Sequence, residues 1–261
     1  TKPLLTNTIT DMPARKKTTK SPGQGMTAKQ KKRRKPIDEA YMIPVEPLTH
    51  NQQLFFDEWD KGKMVYAYGV AGTGKTFIAL YKALKDVLNE YTPYEKIYIV
   101  RSLVATREIG FLPGDHEDKS SLYQIPYKNM VQSMFEMPDD NAYEMLYDNL
   151  KAQETISFWS TSFIRGTTLD NAIVIIDECQ NLNFHELDSI ITRVGQDSKI
   201  VFCGDAAQTD LQKVSERTGI LDFQRILQNM DEFSLIEFNV EDIVRSGLVK
   251  SYLINKINLG L

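Results

Sequence analysis

Eight consecutive residues, about a quarter of the way along the chain, have the types and spacing of a phosphate-binding loop. They read Gly69-Val70-Ala71-Gly72-Thr73-Gly74-Lys75-Thr76 and fit the pattern G-x-x-x-x-G-K-S/T. The run from Lys63 to Tyr68 predicts a strand before the loop, and apolar residues at helical spacing from Phe77 to Leu88 predict a helix after it. In such a loop Lys75 reaches the β- and γ-phosphates of a nucleotide, and the Thr76 hydroxyl ligates Mg²⁺.

The physical basis of this prediction is the collection of backbone donors at one point. A glycine-rich turn between a strand and a helix lets several N–H groups point at one anion, and the helix N-terminus adds a partial positive charge. A glycine-rich turn without a ligand is the alternative, and the strand before and helix after argue against it.

An acidic pair ends an apolar run about a hundred residues after the loop. Residues Ala172 to Ile176 are apolar throughout, as expected of a strand that is covered on both faces, and Asp177-Glu178 follow. Parallel sheets bind ligands at the carboxyl ends of their strands. There Asp177 can hold Mg²⁺ opposite the loop hydroxyl, and Glu178 can orient or deprotonate an attacking water. This pair favours hydrolysis over transfer of a phosphoryl group to a small acceptor.

A third polar group, Gly204-Asp205-Ala206-Ala207-Gln208, follows the buried run Lys199 to Cys203. Gln208 can sense a γ-phosphate or an attacking water while staying uncharged. By itself the pattern is equally typical of a turn, and its position after the other two motifs favours a functional role.

The order of these motifs resembles the PhoH family of P-loop ATPases, over roughly Thr49 to Lys250. At three positions the chain departs from the family pattern: Cys179 replaces an alanine, Ser102 replaces a proline, and Ser246-Gly247 replace a pair that contains histidine. None of these changes removes a charged or metal-binding group. The further stretches that carry the resemblance are Gly110-Phe111-Leu112-Pro113-Gly114-Asp115, Arg165-Gly166-Thr167-Thr168, Asp177-Glu178-Cys179-Gln180-Asn181, Thr192-Arg193-Val194-Gly195, and the run Asp242 to Val249.

The resemblance implies a RecA-like core similar to superfamily-one helicases, ATP hydrolysis, ring oligomers and action on RNA or single-stranded nucleic acid. It implies that Lys75 and Thr76 bind phosphate and Mg²⁺, that Asp177 binds Mg²⁺, that Glu178 is the catalytic base and that Gln208 is the γ-phosphate sensor.

Upstream of the loop, Thr49-His50-Asn51-Gln52 resembles the stretch in which such ATPases read adenine with a glutamine. We therefore expect Gln52 to contact the base. The neighbouring Gln53, or an ordinary polar helix start, is the alternative.

Two arginines, Arg193 and Arg245, are candidates for the positive charge that a hydrolysing P-loop site needs at the γ-phosphate. That charge can come from the same chain or from a neighbouring subunit. A surface ion pair is the alternative for each arginine.

The charge of the chain is divided unevenly. Residues 1–36 contain eleven Lys or Arg and one Asp, a net charge of +10. Since the whole chain of 261 residues carries −4, the remainder carries −14. With few large apolar residues, segment 1–36 is predicted to be a disordered tail that binds a polyanion or serves solubility or localisation. Residues 37–261 are predicted to form a single ATPase domain, with an insertion around 104–150.

Predicted strands and helices alternate along this domain, which indicates an α/β fold with a mainly parallel sheet. Besides the strands and helix named above, the pattern predicts helices over Thr49–Asp60, Phe184–Val194 and Ile220–Gln228 and strands over Lys96–Arg101, Thr155–Trp159 and Phe233–Phe238.

Other features suggest a cytoplasmic protein. We expect no membrane span, because no run of eighteen apolar residues occurs, and no signal peptide, because the first twenty residues lack an apolar core. Cys179 and Cys203 are expected to be reduced, buried thiols. The three histidines, which lack metal-ligand spacing, are expected to be surface polar residues: His50, His116 and His185.

The leading hypothesis is a nucleic-acid-dependent ATPase or helicase that uses ATP and Mg²⁺ and acts on single-stranded RNA or DNA, RNA being favoured. One P-loop core has no second core to close against, so a ring of subunits, most simply a hexamer, is expected. A small-molecule kinase and a nucleotide-switched scaffold with little turnover are the alternatives.

Overall fold

In the computed structural model, residues 37–101, 116–164, 166–205 and 214–259 are described. Six strands form one sheet in the order β3-β2-β4-β5-β1-β6, and every strand pair within the described residues is parallel. The strands are β1 (Met64–Gly69), β2 (Lys96–Arg101), β3 (Ile156–Trp159), β4 (Ala172–Asp177), β5 (Lys199–Gly204) and β6 (Phe233–Phe238). The helices are α1 (His50–Asp60), α2 (Lys75–Leu88), α3 (His116–Gln132), α4 (Asp140–Ala152), α5 (Thr161–Ile164), α6 (Phe184–Ile191), α7 (Val214–Gln228) and α8 (Gly247–Asn258).

The sheet is the middle layer of three. Strands β4 and β5 are buried at every position, which explains why their sequences are apolar without alternation. Successive residues of β4 point to opposite faces. Ile173 and Ile175 pack in a core with α1 to α4, whereas Val174 and Ile176 pack in a core with α5, α6 and α7.

Three strand ends meet at one edge of the sheet. Strand β5 lies between β1 and β4, and the registers pair Tyr68 with Gly204 and Ile176 with Phe202. The phosphate-binding loop after β1 and the acidic pair that ends β4 therefore lie on the same edge, separated by one strand. The predicted strands are present and parallel, so the predicted α/β fold with a mainly parallel sheet flanked by helices is confirmed.

Two predicted helix boundaries lie more than two residues from the observed ones. Helix α6 ends at Ile191 and not at Val194, because the chain turns at Thr192 and its backbone then pairs with Leu169, whose N–H donates to the Arg193 carbonyl. Helix α7 begins at Val214 and not at Ile220, since a prediction from apolar spacing does not detect its polar first turn.

A helix pair joins β2 to β3. Helices α3 and α4 occupy most of the predicted insertion, and they pack on the sheet face that α2 also covers. The Tyr143 hydroxyl on α4 donates to the Lys128 carbonyl on α3 and ties the two helices together.

At the other edge of the sheet, β5 begins with a buried lysine. Lys199 is 4% exposed, and its ammonium donates to the Trp59 carbonyl at 3.0 Å while lying 4.3 Å from the centre of the Trp59 ring. The Trp59 indole N–H donates to Asp86 at 2.8 Å. Burial lowers the pKa of Lys199 to about 8.

Both cysteines are free and buried, as predicted, and His50 and His185 are exposed. His116 has no described side chain, and segment 1–36 lies outside the described residues. Within the ranges that are described, no helix combines the length and the apolar character needed to cross a bilayer.

Candidate nucleotide-binding site

The loop between β1 and α2 has a backbone that side chains would disrupt. Gly69 has φ +115°, and a Cβ there would lie 2.1 Å from the Phe238 carbonyl oxygen at the end of β6. Gly74 has φ +83°, and its Cβ would lie 3.1 Å from the Gln52 amide nitrogen. Only glycine adopts these conformations without strain, so the loop follows a path that is compatible with backbone donors facing an anion.

Lys75 supplies a buried cation at the base of the loop. It is 8% exposed, and its ammonium donates to the carbonyls of Gly69 at 3.0 Å and Val70 at 2.7 Å. Burial lowers its pKa, and nearby acidic groups, including Asp205 and Glu178, oppose that effect. A cation with such a low degree of solvation is well placed to bind a polyphosphate.

The acidic residue at the end of β4 contacts the loop directly. The Thr76 hydroxyl donates to Asp177 Oδ1 at 2.7 Å, and the Tyr127 hydroxyl of α3 donates to Asp177 Oδ2 at 2.5 Å. Asp177 is 6% exposed. The sequence alone places Thr76 and Asp177 about a hundred residues apart, and the sheet brings their oxygens into contact.

This donor set fits Mg²⁺. Magnesium takes oxygen ligands and is held by one or two protein groups together with phosphate oxygens and waters. Thr76 and Asp177 provide two such oxygens beside the loop. Among the described residues there is no group of three or more His, Cys, Asp or Glu that would hold a metal without such help.

Glu178 occupies a strained position next to this pair. Its φ is +52°, in the left-handed region, which costs about 1–3 kcal/mol for a residue other than glycine. The Gln180 amide donates to Glu178 Oε2 at 2.6 Å and accepts from the Asp205 N–H at 2.9 Å. Gln180 thus links the ends of β4 and β5 and fixes the Glu178 carboxylate.

A cavity of about 340 Å³ collects these groups. Several residues in its wall were not predicted to be site residues, among them Arg101 at the end of β2, and Pro126 and Tyr127 on α3. Arg101 ends an apolar strand, as Asp177 does. This position was the signal in the sequence that could have identified Arg101 as a site residue. Described residues that line the cavity are Ala71, Gly72, Thr73, Gly74, Lys75, Thr76, Phe77, Arg101, Pro126, Tyr127, Met130, Asp177, Glu178, Cys203, Gly204, Asp205 and Arg245.

The protonation states of Arg101 and Tyr127 are both fixed. Burial and the Asp177 carboxylate raise the pKa of the Tyr127 phenol far above its ordinary range, so the phenol keeps its proton. Burial lowers the pKa of Arg101, but Tyr127, Asp177 and Glu178 outweigh it and the net shift is upward. The cavity wall therefore contains a permanent cation and a permanent hydroxyl donor.

The two candidate arginines lie in different places. Arg245 lines the cavity, and its Cγ lies 3.1 Å from the position of a Cβ on Gly72. Arg193 is not among the described residues that line the cavity. It follows α6, and its carbonyl accepts from Leu169, which precedes β4 at the opposite edge of the sheet.

The side chain of Gln52 contacts the backbone of the loop. It is 3% exposed, its amide donates to the Thr73 carbonyl at 2.8 Å, and it accepts from the Leu48 N–H at 2.8 Å. It is not among the described residues in the cavity wall. Gln208 lies outside the described residues, so its role stays a prediction.

A phosphate-binding loop, an oxygen pair for Mg²⁺ and a carboxylate on a parallel α/β sheet together define a P-loop NTPase. The chain belongs to the PhoH family, because the model of that family, described as PhoH-like protein, matches residues 44–255.

Relatives agree with this assignment. A PhoH-like protein of Mycobacterium leprae is 32% identical over 206 residues, which are 78% of this chain and 56% of the relative. A PhoH-like protein of Bacillus subtilis is 33% identical over 210 residues, covering 77% of this chain and 60% of the relative. The chain thus spans somewhat more than half the length of these curated relatives. Among solved structures, unliganded Pif1 from Bacteroides sp. matches 83% of this chain and 47% of its own with 17% identity and a TM-score of 0.39.

Proposed function

We propose that this chain is a Mg²⁺-dependent ATPase whose hydrolysis is stimulated by single-stranded nucleic acid, RNA being the favoured partner, and that it works as a ring. The observation that carries the proposal is the 2.7 Å contact between Thr76 and Asp177 beside the buried Lys75 ammonium. These three groups form the smallest set that binds both a polyphosphate and its metal.

The roles within the cavity follow from chemistry. Lys75 and the loop N–H groups would neutralise the β- and γ-phosphates, while Thr76 and Asp177 would hold the metal. When bound, Mg²⁺ would withdraw charge from the phosphate oxygens. Glu178, fixed by Gln180, would orient the attacking water and accept its proton. Arg101 and Arg245 would supply positive charge for the transition state.

A hydrolytic role is favoured over the kinase alternative. Glu178 lines the same cavity as the phosphate-binding loop, and a carboxylate there suits activation of water. The scaffold alternative shares every binding group and differs only in turnover.

Nucleic-acid dependence is supported by the family and by the basic segment 1–36, which carries a net charge of +10. The ring is supported by the position of Arg193. Because Arg193 lies at the edge of the sheet remote from its own loop, any catalytic role for it would be at the site of a neighbouring subunit, whereas Arg245 would act within its own chain.

Phosphate release with and without single-stranded RNA tests the proposal. We expect Mg²⁺-dependent release of phosphate from ATP that RNA stimulates. Turnover only when a small acceptor is added would show a kinase, and near-zero turnover with tight ATP binding would show a scaffold.

Phosphate release and RNA binding at several salt concentrations, measured on a chain without residues 1–36, test the role of the tail. Basal ATPase should survive, and RNA binding should weaken and become less salt-dependent. For each RNA phosphate that the tail neutralises, its deletion lowers the slope of log K against log salt by about 0.7 for a single strand. An unchanged slope would show that the tail does not touch RNA.

A further inference from the structure

The carboxylate of Asp177 is held by a hydroxyl on each of its oxygens. Thr76, the expected metal ligand of the loop, donates to Oδ1 at 2.7 Å. Tyr127 donates to Oδ2 at 2.5 Å. Tyr127 belongs to none of the motifs recognised in the sequence. It reaches Asp177 from α3, on the helix pair that joins β2 to β3.

Packing fixes the Tyr127 ring where it lies. The residue is 2% exposed, and its ring centre lies 5.5 Å from that of Phe158 on β3. A buried phenol needs a hydrogen-bond partner, and this one uses the carboxylate. The preceding Pro126 and the later Met130 also line the cavity, so one side of α3 forms part of its wall.

Groups that contact a ligand residue and not the metal itself commonly change metal affinity 10- to 100-fold, because they set the orientation of the ligand. A hydroxyl on Oδ2 restrains rotation of the carboxylate and leaves Oδ1 directed at Thr76. The restraint comes from a segment outside the phosphate-binding loop. The position of α3 is therefore coupled to the geometry of the metal-binding oxygens.

We propose that Tyr127 is a positioning residue, which orients the Asp177 carboxylate for Mg²⁺ and so makes metal affinity depend on the placement of the α3–α4 helix pair. This inference rests on the proposed metal site. It does not require that the site hydrolyse ATP.

Tyr127→Phe tests the inference, because it removes the hydroxyl and keeps the ring. The matched control is Tyr143→Phe, which removes a buried hydroxyl from the same helix pair where it donates to the Lys128 carbonyl. The readout is the Kd of Mn²⁺ for the full chain bound to ADP, measured by electron paramagnetic resonance. This binding measurement does not need turnover.

We expect Tyr127→Phe to raise the Mn²⁺ Kd about 10-fold and Tyr143→Phe to change it less than about twofold. In ATPase assays the Mg²⁺ concentration for half-maximal rate should rise in parallel, while kcat at saturating Mg²⁺ falls less than about threefold. Wild-type Mn²⁺ affinity in Tyr127→Phe would overturn the inference, and so would an equal loss in both variants, which would indicate loosened packing.

If Tyr127→Phe does not fold, Phe158→Leu decides the matter, since it keeps the Tyr127 hydroxyl and removes the ring that packs against Tyr127. An Mn²⁺ Kd raised about threefold or more supports positioning by the packed phenol, and a smaller change contradicts it. A wild-type chain that binds Mn²⁺–ADP without hydrolysing ATP would refute the proposed ATPase activity and leave this test intact.

Discussion

At the scale of single residues, neighbouring carboxylates have different environments and should have different roles. Asp177 accepts from two hydroxyls, one of them in the phosphate-binding loop, whereas Glu178 accepts from the Gln180 amide. Two adjacent acids on a regular strand would point to opposite faces of the sheet. Here Glu178 follows β4 in a left-handed conformation, and both carboxylates line one cavity with different partners.

Glu178→Gln should retain ATP binding and lose most hydrolysis, with kcat lower by about 10²- to 10⁴-fold, because the substitution keeps the size of the side chain and removes its basic group. Asp177→Asn should instead weaken Mg²⁺-dependent nucleotide binding. Fluorescent-nucleotide titration and phosphate release measure the two effects. Normal turnover in both variants would show that the acidic pair only ends a strand.

The acidic residues could be predicted because their signal is local. An apolar strand, a glycine-rich turn and a carboxylate at a strand end are all read from neighbouring residues. Tyr127 and Arg101 could not be assigned in this way. The approach of Tyr127 to Asp177 depends on how the helix pair between β2 and β3 packs on the sheet, and that of Arg101 depends on the pairing of β2 with β4.

At the scale of elements, the side chain of Gln52 lies beside the candidate site and holds the start of α1 and the phosphate-binding loop together. The sequence places it near the nucleotide, and the structure places it between the start of α1 and the loop, bonded to Leu48 and Thr73. Two backbone groups from different segments depend on one buried amide.

Gln52→Ala should lower the free energy of unfolding by about 1–3 kcal/mol, because the Leu48 N–H and the Thr73 carbonyl lose their partner. The control is Gln53→Ala in the same helical turn, where the exposed side chain donates only to Asp57 and the change should be within about 0.5 kcal/mol. Urea denaturation measures both.

Nucleotide selectivity distinguishes two roles for Gln52, which are support of the loop and recognition of adenine. If Gln52 only supports the loop, affinities for ATP and GTP fall together in Gln52→Ala. A selective loss of ATP affinity would show that the amide also reads the base, as the resemblance implies.

The buried lysine at the start of β5 makes stability depend on pH. The pKa of Lys199 is about 8 in the folded chain against 10.5 for the free side chain. The unfolded chain therefore binds more protons between these values, and stability due to this group rises with pH from about 8 to 10.5.

Lys199→Met should abolish this contribution. The unfolding free energy of the wild type, relative to the variant, should increase by about 2–3 kcal/mol between pH 7.5 and 10.5. Denaturation of both proteins at several pH values measures this difference in unfolding free energy. The contributions of other groups that titrate in this pH range cancel in the difference. A constant difference would mean that the Trp59 ring and carbonyl stabilise the ammonium enough to offset its burial.

At the scale of the whole molecule, the sheet determines which arginine can serve which site. Arg245 lies against the loop of its own chain, and Arg193 lies near the start of β4 at the other edge. From the sequence, both arginines are equally good candidates for the charge at the γ-phosphate, because a motif shows neither the strand order nor the direction of α6.

Mixing Lys75→Ala with Arg193→Ala protomers should restore part of the ATPase activity, since one of the two orientations of a mixed interface joins an intact loop to an intact Arg193. Mixing Lys75→Ala with Arg245→Ala should not restore it, because Arg245 serves the loop of its own chain. ATPase rate against mixing ratio, with sizing of the assembly, measures this. A fully active monomer would contradict the ring, and rescue by both mixtures would contradict the assignment of Arg245.

The clash between a Gly69 Cβ and the Phe238 carbonyl has a consequence for variant libraries. In a screen that reports only protein abundance, every substitution at Gly69 should be depleted, because the end of β6 leaves no room for a side chain. Substitutions at Glu178 should pass that screen and fail only one that reports ATP turnover. A comparison of the two screens would thus separate, position by position, the residues of the nucleotide-binding motifs that selection keeps for folding from those that it keeps for chemistry.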